Sequence, residues 1–459
     1  MSFVTLEIAR NAMTASRVAM DVAAQNVANA NTPGYFRQRA LLAPLTNAAA
    51  GGVSQVGLGA QVAEVQRLRD QCLEAQIAHQ EGELGREQAL GASLARIEQL
   101  LPDLDGNGIA SVMGRLFDSL QRLQTSPDSL SARREVLATA EAMCVQFRDT
   151  AQQLAAEAAT IERELDQSVD RANQLLAQVA ELNGKIAAAG GGSSANDLRV
   201  AREQAIRELG NLCGAVGLDQ ADGSQTVLLG GIRLVQGSRE TTLALVTDPG
   251  DPSHRVLAAG DLTELDGLSG QIGGYLEARD GNLRSWQSRL DTLAATLADA
   301  LNATHAAGYD LAGQTGSDFL TYQPEAAART LGLAVGLSSD PRLLAAAGQP
   351  GGSPGDGANA AAMAALREAR LFEAGSQTPE EFHADLLLEV GVAARGAEEA
   401  VAARQLLLES LDRQYADQAA VSLDEEAVDI MRYQQVYNAS ARLVQTALDM
   451  VDQLLGLVR

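Results

Sequence analysis

The sequence predicts a mainly α protein. Elongated, coaxially stacked domains are formed by the N- and C-terminal segments together, as a terminal coiled coil and a long-helix bundle, with a small β-rich outer domain inserted in the middle. Three observations carry this expectation. Hydrophobic residues make up 46% of the 459 positions but aromatic residues only 3%, so alanine and leucine supply most of the apolar content, which suits packed helices better than sheets. Both ends of the chain repeat apolar residues every seven positions. After Val216 the pattern changes to short apolar runs divided by glycine.

Residues 4–30 read as a helix. Leu6, Met13, Met20 and Val27 recur at seven-residue spacing, and Ala9, Ser16, Ala23 and Ala30 lie three beyond each, which makes a narrow seam with a row of small residues. Asn29 or Asn31 tolerates the left-handed conformation that ends a helix. Thr32-Pro33-Gly34-Tyr35 then fits a type II turn, with Pro33 fixing φ and Gly34 supplying a positive φ. A second helix is expected over 66–101 and a third over 109–125. A long helix runs from Ser129 or Ser131 to about Ala189, far beyond the average of ~11 residues, and this implies an elongated bundle. The run AGGGSS at 189–194 breaks it, and Asn196 can cap a further helix over 197–212.

In the centre, QTVLLGGIRLVQ holds two apolar runs joined by Gly230-Gly231, the length of a tight hairpin loop. TTLALVT and HRVLAA continue as strands. Helical pattern returns at about 272–306, LGLAVGL (331–337) is one more short apolar run, and a Gly/Pro-rich loop (348–359) leads into helices at 359–372 and 379–419. The last helix, about 423–456, is the most regular. Ala427, Ile430, Gln434, Tyr437, Ala441, Val444, Leu448, Val451, Leu455 and Val458 alternate at spacings of three and four over more than four heptads. Ser422 and Glu425 form a capping box at its start. The expected domains are 1–35 with 421–459 as the terminal coiled coil, 36–216 with 271–310 and 355–420 as the bundle, and 217–270 with 311–354 as the β-rich outer domain.

The formal charge of −24 argues against nucleic acid or an anionic membrane as partner. Cys72, Cys144 and Cys213 are far apart and form no metal or disulfide spacing. All three sit in helical pattern and read as buried small hydrophobes. The N-terminus lacks the basic and continuous apolar regions of a secretory signal peptide, and no apolar run approaches the ~20 residues of a membrane span. DLDGNGIASVMG (103–114) matches the first positions of a calcium loop but has Gly114 where a bidentate glutamate belongs, so it reads as an interhelical turn. His79, His254, His305 and His383 show no ligand spacing and read as surface or cap residues. Asp424, Glu425 and Glu426 fall in the first turn of the last helix, where the macrodipole favours them. No catalytic residue, metal or cofactor is expected.

NVANANTPGYFRQ near the start resembles the N-terminal signature of axial proteins of the bacterial flagellum, and VSLDEEAVDIMRYQQVYNASARLVQTALDMVDQLLGL resembles their C-terminal signature. Within that group, the interior segments SSANDLRVAREQAIRELGNLCGAVGL and GGYLEARDGNLRSWQSRLDTLAATLADALNATHAAGYDLAGQTGSDFL are similar to the first hook-associated proteins, which join hook to filament. The resemblance is weakest at 238–265 and 325–350. It implies a non-enzymatic structural subunit, secreted unfolded through the flagellar type III export apparatus after a transient stay in the cytoplasm, and placed at the hook–filament junction. The implied partners are further copies in a ring, the hook protein, a second junction protein or filament subunit, and a cytoplasmic export chaperone. The implied N-terminal assembly residues are Leu6, Met13, Met20, Asn26, Val27, Asn29, Thr32, Pro33, Gly34 and Tyr35. At the C-terminal end, Ile430, Tyr437, Val444, Leu448, Val451 and Leu455 would serve assembly and the chaperone, as an apolar helix face suits a helix-in-groove ligand. Another axial protein of rod, hook or filament, or a scaffold carrying an enzymatic insertion, is the alternative.

Overall fold

The computed structural model describes residues 2–30, 37–45, 57–67, 70–101, 108–189, 196–220, 222–248, 251, 255–260, 263–265, 267–351, 355–419 and 422–457. The order is α1 (Ser2–Ala28), β1 (Gln38–Pro44), β2 (Ala60–Arg67), α2 (Gln71–Gln99), α3 (Ile109–Thr125), α4 (Leu130–Ala188) and α5 (Asn196–Cys213). There follow β3 (Val216–Asp219), β4 (Gln225–Leu229), β5 (Ile232–Gln236), β6 (Arg239–Glu240), β7 (Leu243–Thr247), β8 (Arg255–Ala259) and β9 (Thr263–Glu264). Next come α6 (Gly270–Leu276), a π-helical stretch (Glu277–Leu283), α7 (Arg284–Ala306), β10 (Leu320–Thr321), α8 (Ala327–Thr330), β11 (Gly332–Leu333) and α9 (Val335–Ser339). The chain closes with α10 (Ala358–Ala364), α11 (Pro379–Ala419) and α12 (Leu423–Leu457). The fold is mainly α with small antiparallel sheets in the middle of the chain, as the sequence predicts.

Two compact units form, residues 1–77 with 407–459 and residues 78–406. The terminal unit takes in the β1–β2 hairpin and the segments to Ile77 and from Leu407, residues that the sequence reading placed in the bundle. The second unit is built on α4. Val136, Met143, Phe147, Leu154, Ile161, Leu165, Leu176 and Val179 keep one side of this 59-residue helix buried along its length. The Ser129 hydroxyl accepts the Ala132 N–H at its start, so the helix begins where a serine N-cap satisfies an otherwise orphaned donor. On a neighbouring face, Arg96 of α2 bonds Glu157 at 2.7 Å and Glu164 at 3.0 Å.

The two small sheets run β3-β4-β5-β6 and β7-β8-β9, all antiparallel. Gly230 and Gly231 have φ of +55° and +84°. Positive φ at both central positions is what a two-residue hairpin loop between twisted strands requires. Asparagines on helices hold the sheets. Asn173 gives its Nδ2 hydrogen to the Leu243 carbonyl at 2.9 Å and accepts the Leu243 N–H at 2.8 Å. Asn183 does the same for Gln225, at 2.8 and 3.0 Å. Asn302 serves the Leu320 carbonyl and N–H, both at 2.8–2.9 Å. A primary amide carries the same donor and acceptor as a peptide group, so each asparagine stands in for a missing strand neighbour.

Several expectations are corrected. Residues 60–67 are strand, pairing with β1 from Gln38↔Arg67 to Pro44↔Ala60, and the second helix starts at Gln71 instead of 66. The chain from 270 to 306 is helical throughout but widens to a π-helical turn at Glu277–Leu283, where Arg279 bonds Glu162, Asp280 and the Arg255 carbonyl. Cys144 and Cys213 are buried, but Cys72 is exposed in the first turn of α2. His305 and His383, expected as surface or cap residues, are buried, His305 in the last turn of α7. Nδ1 of His305 lies 2.6 Å from the Ser317 carbonyl and Nε2 accepts the Ala345 N–H at 2.9 Å, so the ring clasps two loops. Residues 103–107 of the calcium-like loop lie outside the described residues, and the remainder opens α3.

Candidate functional site

The terminal unit brings the two ends of the chain together. Helices α1 and α12 lie antiparallel. Asn26, near the end of α1, bonds Glu426, at the start of α12, while Leu6 and Met13 share a groove with Tyr437 and Val444, whose rim carries Arg10 and Arg17. On α1 the buried positions are Ala9, Ala15, Ser16, Ala19, Val22, Ala23 and Asn26. This face is wider than one seam, because α1 packs on α12 and also on the hairpin. The Asn11 amide donates to the Leu58 carbonyl at 2.9 Å. Gly59, with φ +93°, passes so close to α1 that a Cβ there would meet the Ile8 carbonyl at 3.2 Å.

On α12 the row Ile430, Tyr437, Val444 and Val451 is half-buried, as the repeat predicts. Its companion row is Glu426, Tyr433, Ser440 and Ala447, one position before the predicted row of Ala427, Gln434, Ala441 and Leu448. Glu426, Ser440 and Ala447 are buried, whereas Leu448 is 47% exposed. The reason is the partner. Ser440 and Ala447 are small enough to let the alanine-rich face of α1 approach, and Glu426 finds a hydrogen-bond donor there. On α1, Leu6, Met13 and Met20 are half-buried and Val27 is 38% exposed, since one further residue turns it about 100° away from Asn26. The side chain of Leu455 and residues Thr32, Pro33, Gly34 and Tyr35, with the proposed turn, lie outside the described residues.

Asn26 is the centre of a polar cluster. Its Nδ2 donates to the Gln38 carbonyl at 2.8 Å and to Glu426 Oε2 at 3.1 Å, and its Oδ1 accepts the Gln38 N–H at 2.9 Å. It therefore starts β1 by the same peptide mimicry that holds the central sheets. Arg37 donates through Nε to Glu426 Oε1 at 2.6 Å and through Nη1 to Glu425 Oε2 at 2.7 Å. Burial opposes its charge, but the hydrogen bonds and charges of Glu425 and Glu426 outweigh that and hold the guanidinium above its ordinary value. Asn29 bonds back to the Gln25 carbonyl at 2.9 Å and closes the helix end.

Arg37 and Glu426 were missed by the sequence reading. The carboxylates at 424–426 pass for ordinary helix-start acids, and nothing within the sequence pairs position 37 with position 426. The expected capping box is half present. Ser422 Oγ accepts the Glu425 N–H at 3.3 Å, while the Glu425 carboxylate turns to Arg37.

The two helices that meet here are the two ends that known families share. Residues 6–35 match the family described as flagella basal body rod protein, and residues 413–457 match the flagellar basal body rod FlgEFG protein C-terminal family. Together they define the class: a structural, non-enzymatic protein of the flagellar axis. Residues 94–320 match the flagellar hook-associated protein FlgK helical domain. The flagellar hook-associated protein 1 of Bacillus subtilis is 27% identical over 99% of this chain and 98% of its own length. That of Salmonella typhimurium is 30% identical over 68% of this chain, and the matched part spans 58% of that relative's length. The solved flagellar hook junction protein FlgK of Burkholderia pseudomallei shares the fold, with a TM-score of 0.67 at 17% identity over 76% of this chain and all of that one. The chain belongs to the flagellar hook-associated protein 1 family. It is a component of the flagellum, a setting that implies assembly with other flagellar parts. Among the described residues no helix is long and apolar enough to cross a membrane.

Proposed function

We propose that this chain is the structural subunit that joins hook to filament, exported unfolded by the flagellar type III apparatus and polymerised through its terminal helices. The observation that carries the reading is a second apolar row on α12, beside the seam closed by α1. Val436, Leu443 and Met450, seven apart, are 42%, 49% and 53% exposed, and Leu448 is exposed on the other side of the seam. A helix with an exposed apolar row on one flank of a closed seam and an exposed leucine on the other suits contact with neighbouring copies. Charge distribution supports it. Residues 1–77 and 407–459 hold 10 basic and 14 acidic side chains, while the second unit holds 25 and 45. The near-neutral unit suits close packing among copies, and the acidic one suits solvent.

In this reading Leu6, Met13, Met20, Val27, Ile430, Tyr437, Val444, Leu448, Val451 and Leu455 serve assembly. Asn26, Asn29, Thr32, Pro33, Gly34 and Tyr35 set the turn that leads outward, and 217–270 with 311–354 forms the outer layer of the stacked domains. The partners are other copies in a ring, the hook protein, a second junction protein or filament subunit, the export apparatus and a cytoplasmic chaperone that holds α12. The test is location and consequence. The protein is expected in purified hook–basal bodies, and cells lacking it are expected to shed filament subunits into the medium. Recovery of the protein only from the cytosol, with filaments intact in its absence, would refute the reading.

A further inference from the structure

The α1–α12 pair is built from rows that repeat. Along α1 run Leu6, Met13, Met20 and Val27, the row Ala9, Ser16 and Ala23, and the row Ala12 and Ala19. Along α12 runs Ile430, Tyr437, Val444 and Val451, beside Tyr433, Ser440 and Ala447. Moving one helix by seven residues lays apolar rows on apolar rows again. Such a pair closes readily but specifies its alignment poorly, because neighbouring registers bury similar surface.

Two residues break the repeat. Asn26 ends the row of Ala12 and Ala19, and Glu426 begins the row of Tyr433, Ser440 and Ala447. Both are buried, at 1% and 2% exposure, and in the observed register they meet. Slip by one heptad in one direction would set Asn26 against Tyr433. Slip in the other would bury the Glu426 carboxylate against Ala19. Either move also parts Glu426 from Arg37, and a buried charge or amide without a partner is strongly disfavoured.

We propose that Asn26 and Glu426, with Arg37, are register-setting residues: they pin α1 and α12 in one alignment out of several that the apolar rows would accept. Buried polar contacts fix alignment in this way in coiled coils. The pin links the N-terminal signature to the C-terminal one, and it belongs to the single chain. Only its consequence, that a misaligned pair offers the wrong outer face to neighbouring copies, rests on the assembly reading above.

Disulfide trapping in the soluble full-length chain tests it. Cys72, the exposed native thiol, is first changed to serine. Cysteine pairs then report alignment. Met13→Cys with Tyr437→Cys marks the observed register, because counting antiparallel from the Asn26–Glu426 contact sets Met13 nearest Tyr437 and Leu6 nearest Val444, while Met13→Cys with Val444→Cys or with Ile430→Cys marks slip by one heptad either way. In the otherwise native chain the observed pair should be trapped in excess by about tenfold or more, and in the doubly apolar Asn26→Leu/Glu426→Leu variant the excess should fall to within about twofold of a slipped pair. Replacing both polar partners by leucine keeps the pair apolar and folded, which helix content by circular dichroism checks. An undiminished excess in that variant overturns the pin, and so does the absence of any excess in the native chain. If the register shifts as expected yet cells carrying the variant keep intact filaments, the pin stands and the assembly reading falls.

Discussion

Adjacent positions on α12 should respond to the same substitution in opposite ways in the free protein. Ala447 is 5% exposed and faces α1, and Leu448 is 47% exposed and faces away. Ala447→Asp puts a carboxylate into the buried seam, while Arg10 and Arg17, on the rim of the groove lined by Val444, are exposed. An unpaired buried charge costs about 3–5 kcal/mol, enough to lower the population of the closed helix pair by a factor of about 100 to 1,000 or more at 1.4 kcal/mol per decade. Leu448→Asp removes an apolar side chain already half in water and should change the free chain by no more than ~0.5 kcal/mol. Hydrogen exchange of the α1 amides between Ala9 and Asn26 reads the difference. Protection should fall by two or more orders of magnitude in Ala447→Asp and stay near native in Leu448→Asp. In cells both should shed filament protein, the first because the pair is broken and the second because its outer row is charged. Equal protection in the two variants, or loss in Leu448→Asp alone, would show that the seam does not run through Ser440 and Ala447.

Other expectations follow from the second unit and the cysteines. Burial lowers the His305 pKa below its ordinary 6.5, against the opposing pull of the Ser317 carbonyl and of Asp318 and Asp310. The folded form therefore binds fewer protons than the unfolded one below pH 6.5. The stability contributed is full above that pH and is lost as pH falls toward the folded pKa; the melting temperature should drop in that window, and less so in His305→Gln. Burial pushes the Cys144 and Cys213 thiols up to about 12, so thiol titration near pH 8 should find one reactive group, Cys72, in the native chain and all three after denaturation. Glu373 and Ala374 have φ of +47° and +55°, a conformation that costs a side-chain-bearing residue roughly 1–2 kcal/mol. Ala374→Gly should thus stabilise the second unit by up to ~1 kcal/mol after glycine's own entropy cost, seen as a higher thermal midpoint; a lower one would show that the turn is not strained.

Elements with a strong local signal were legible in the sequence. Helix α3 falls on the expected 109–125, α4 starts after the Ser129 cap, and the Gly230-Gly231 hairpin turns where two glycines allow it. The β1–β2 hairpin was not legible. AQVAEVQR is mostly good helix formers and abuts a true helix, and the strand owes its form to pairing with residues 16 to 29 positions away. The second seam row on α12 lies one residue earlier than its composition suggests, because Ala427, Ala441 and Leu448 are more apolar than the Glu426, Tyr433 and Ser440 that precede Ala447 in the true row. Choosing between them needs the partner face, and the decisive contact joins residues 400 apart. A single histidine leaves no pattern, so His305 reads only as a surface or cap residue, and its burial in the last turn of α7 follows from two loops that close around it.

The helix asparagines that hold strands carry a chemical condition with them. An amide can replace a peptide neighbour only while it remains an amide. Loss of ammonia through ring closure, followed by addition of water, turns Asn26, Asn173, Asn183 or Asn302 into an aspartate, whose second oxygen would face a backbone carbonyl where an N–H had pointed. Asn183 is the most exposed to this chemistry by sequence, since Gly184 follows it and glycine hinders ring closure least. It is also the best defended by structure, because it sits inside the continuous α4 helix with its side chain held by Gln225, Gly237 and Arg202. The helix thus acts as a preservative for its own hinge-pins, and the durability of the central sheets in an ageing copy depends on α4 staying wound around residue 183.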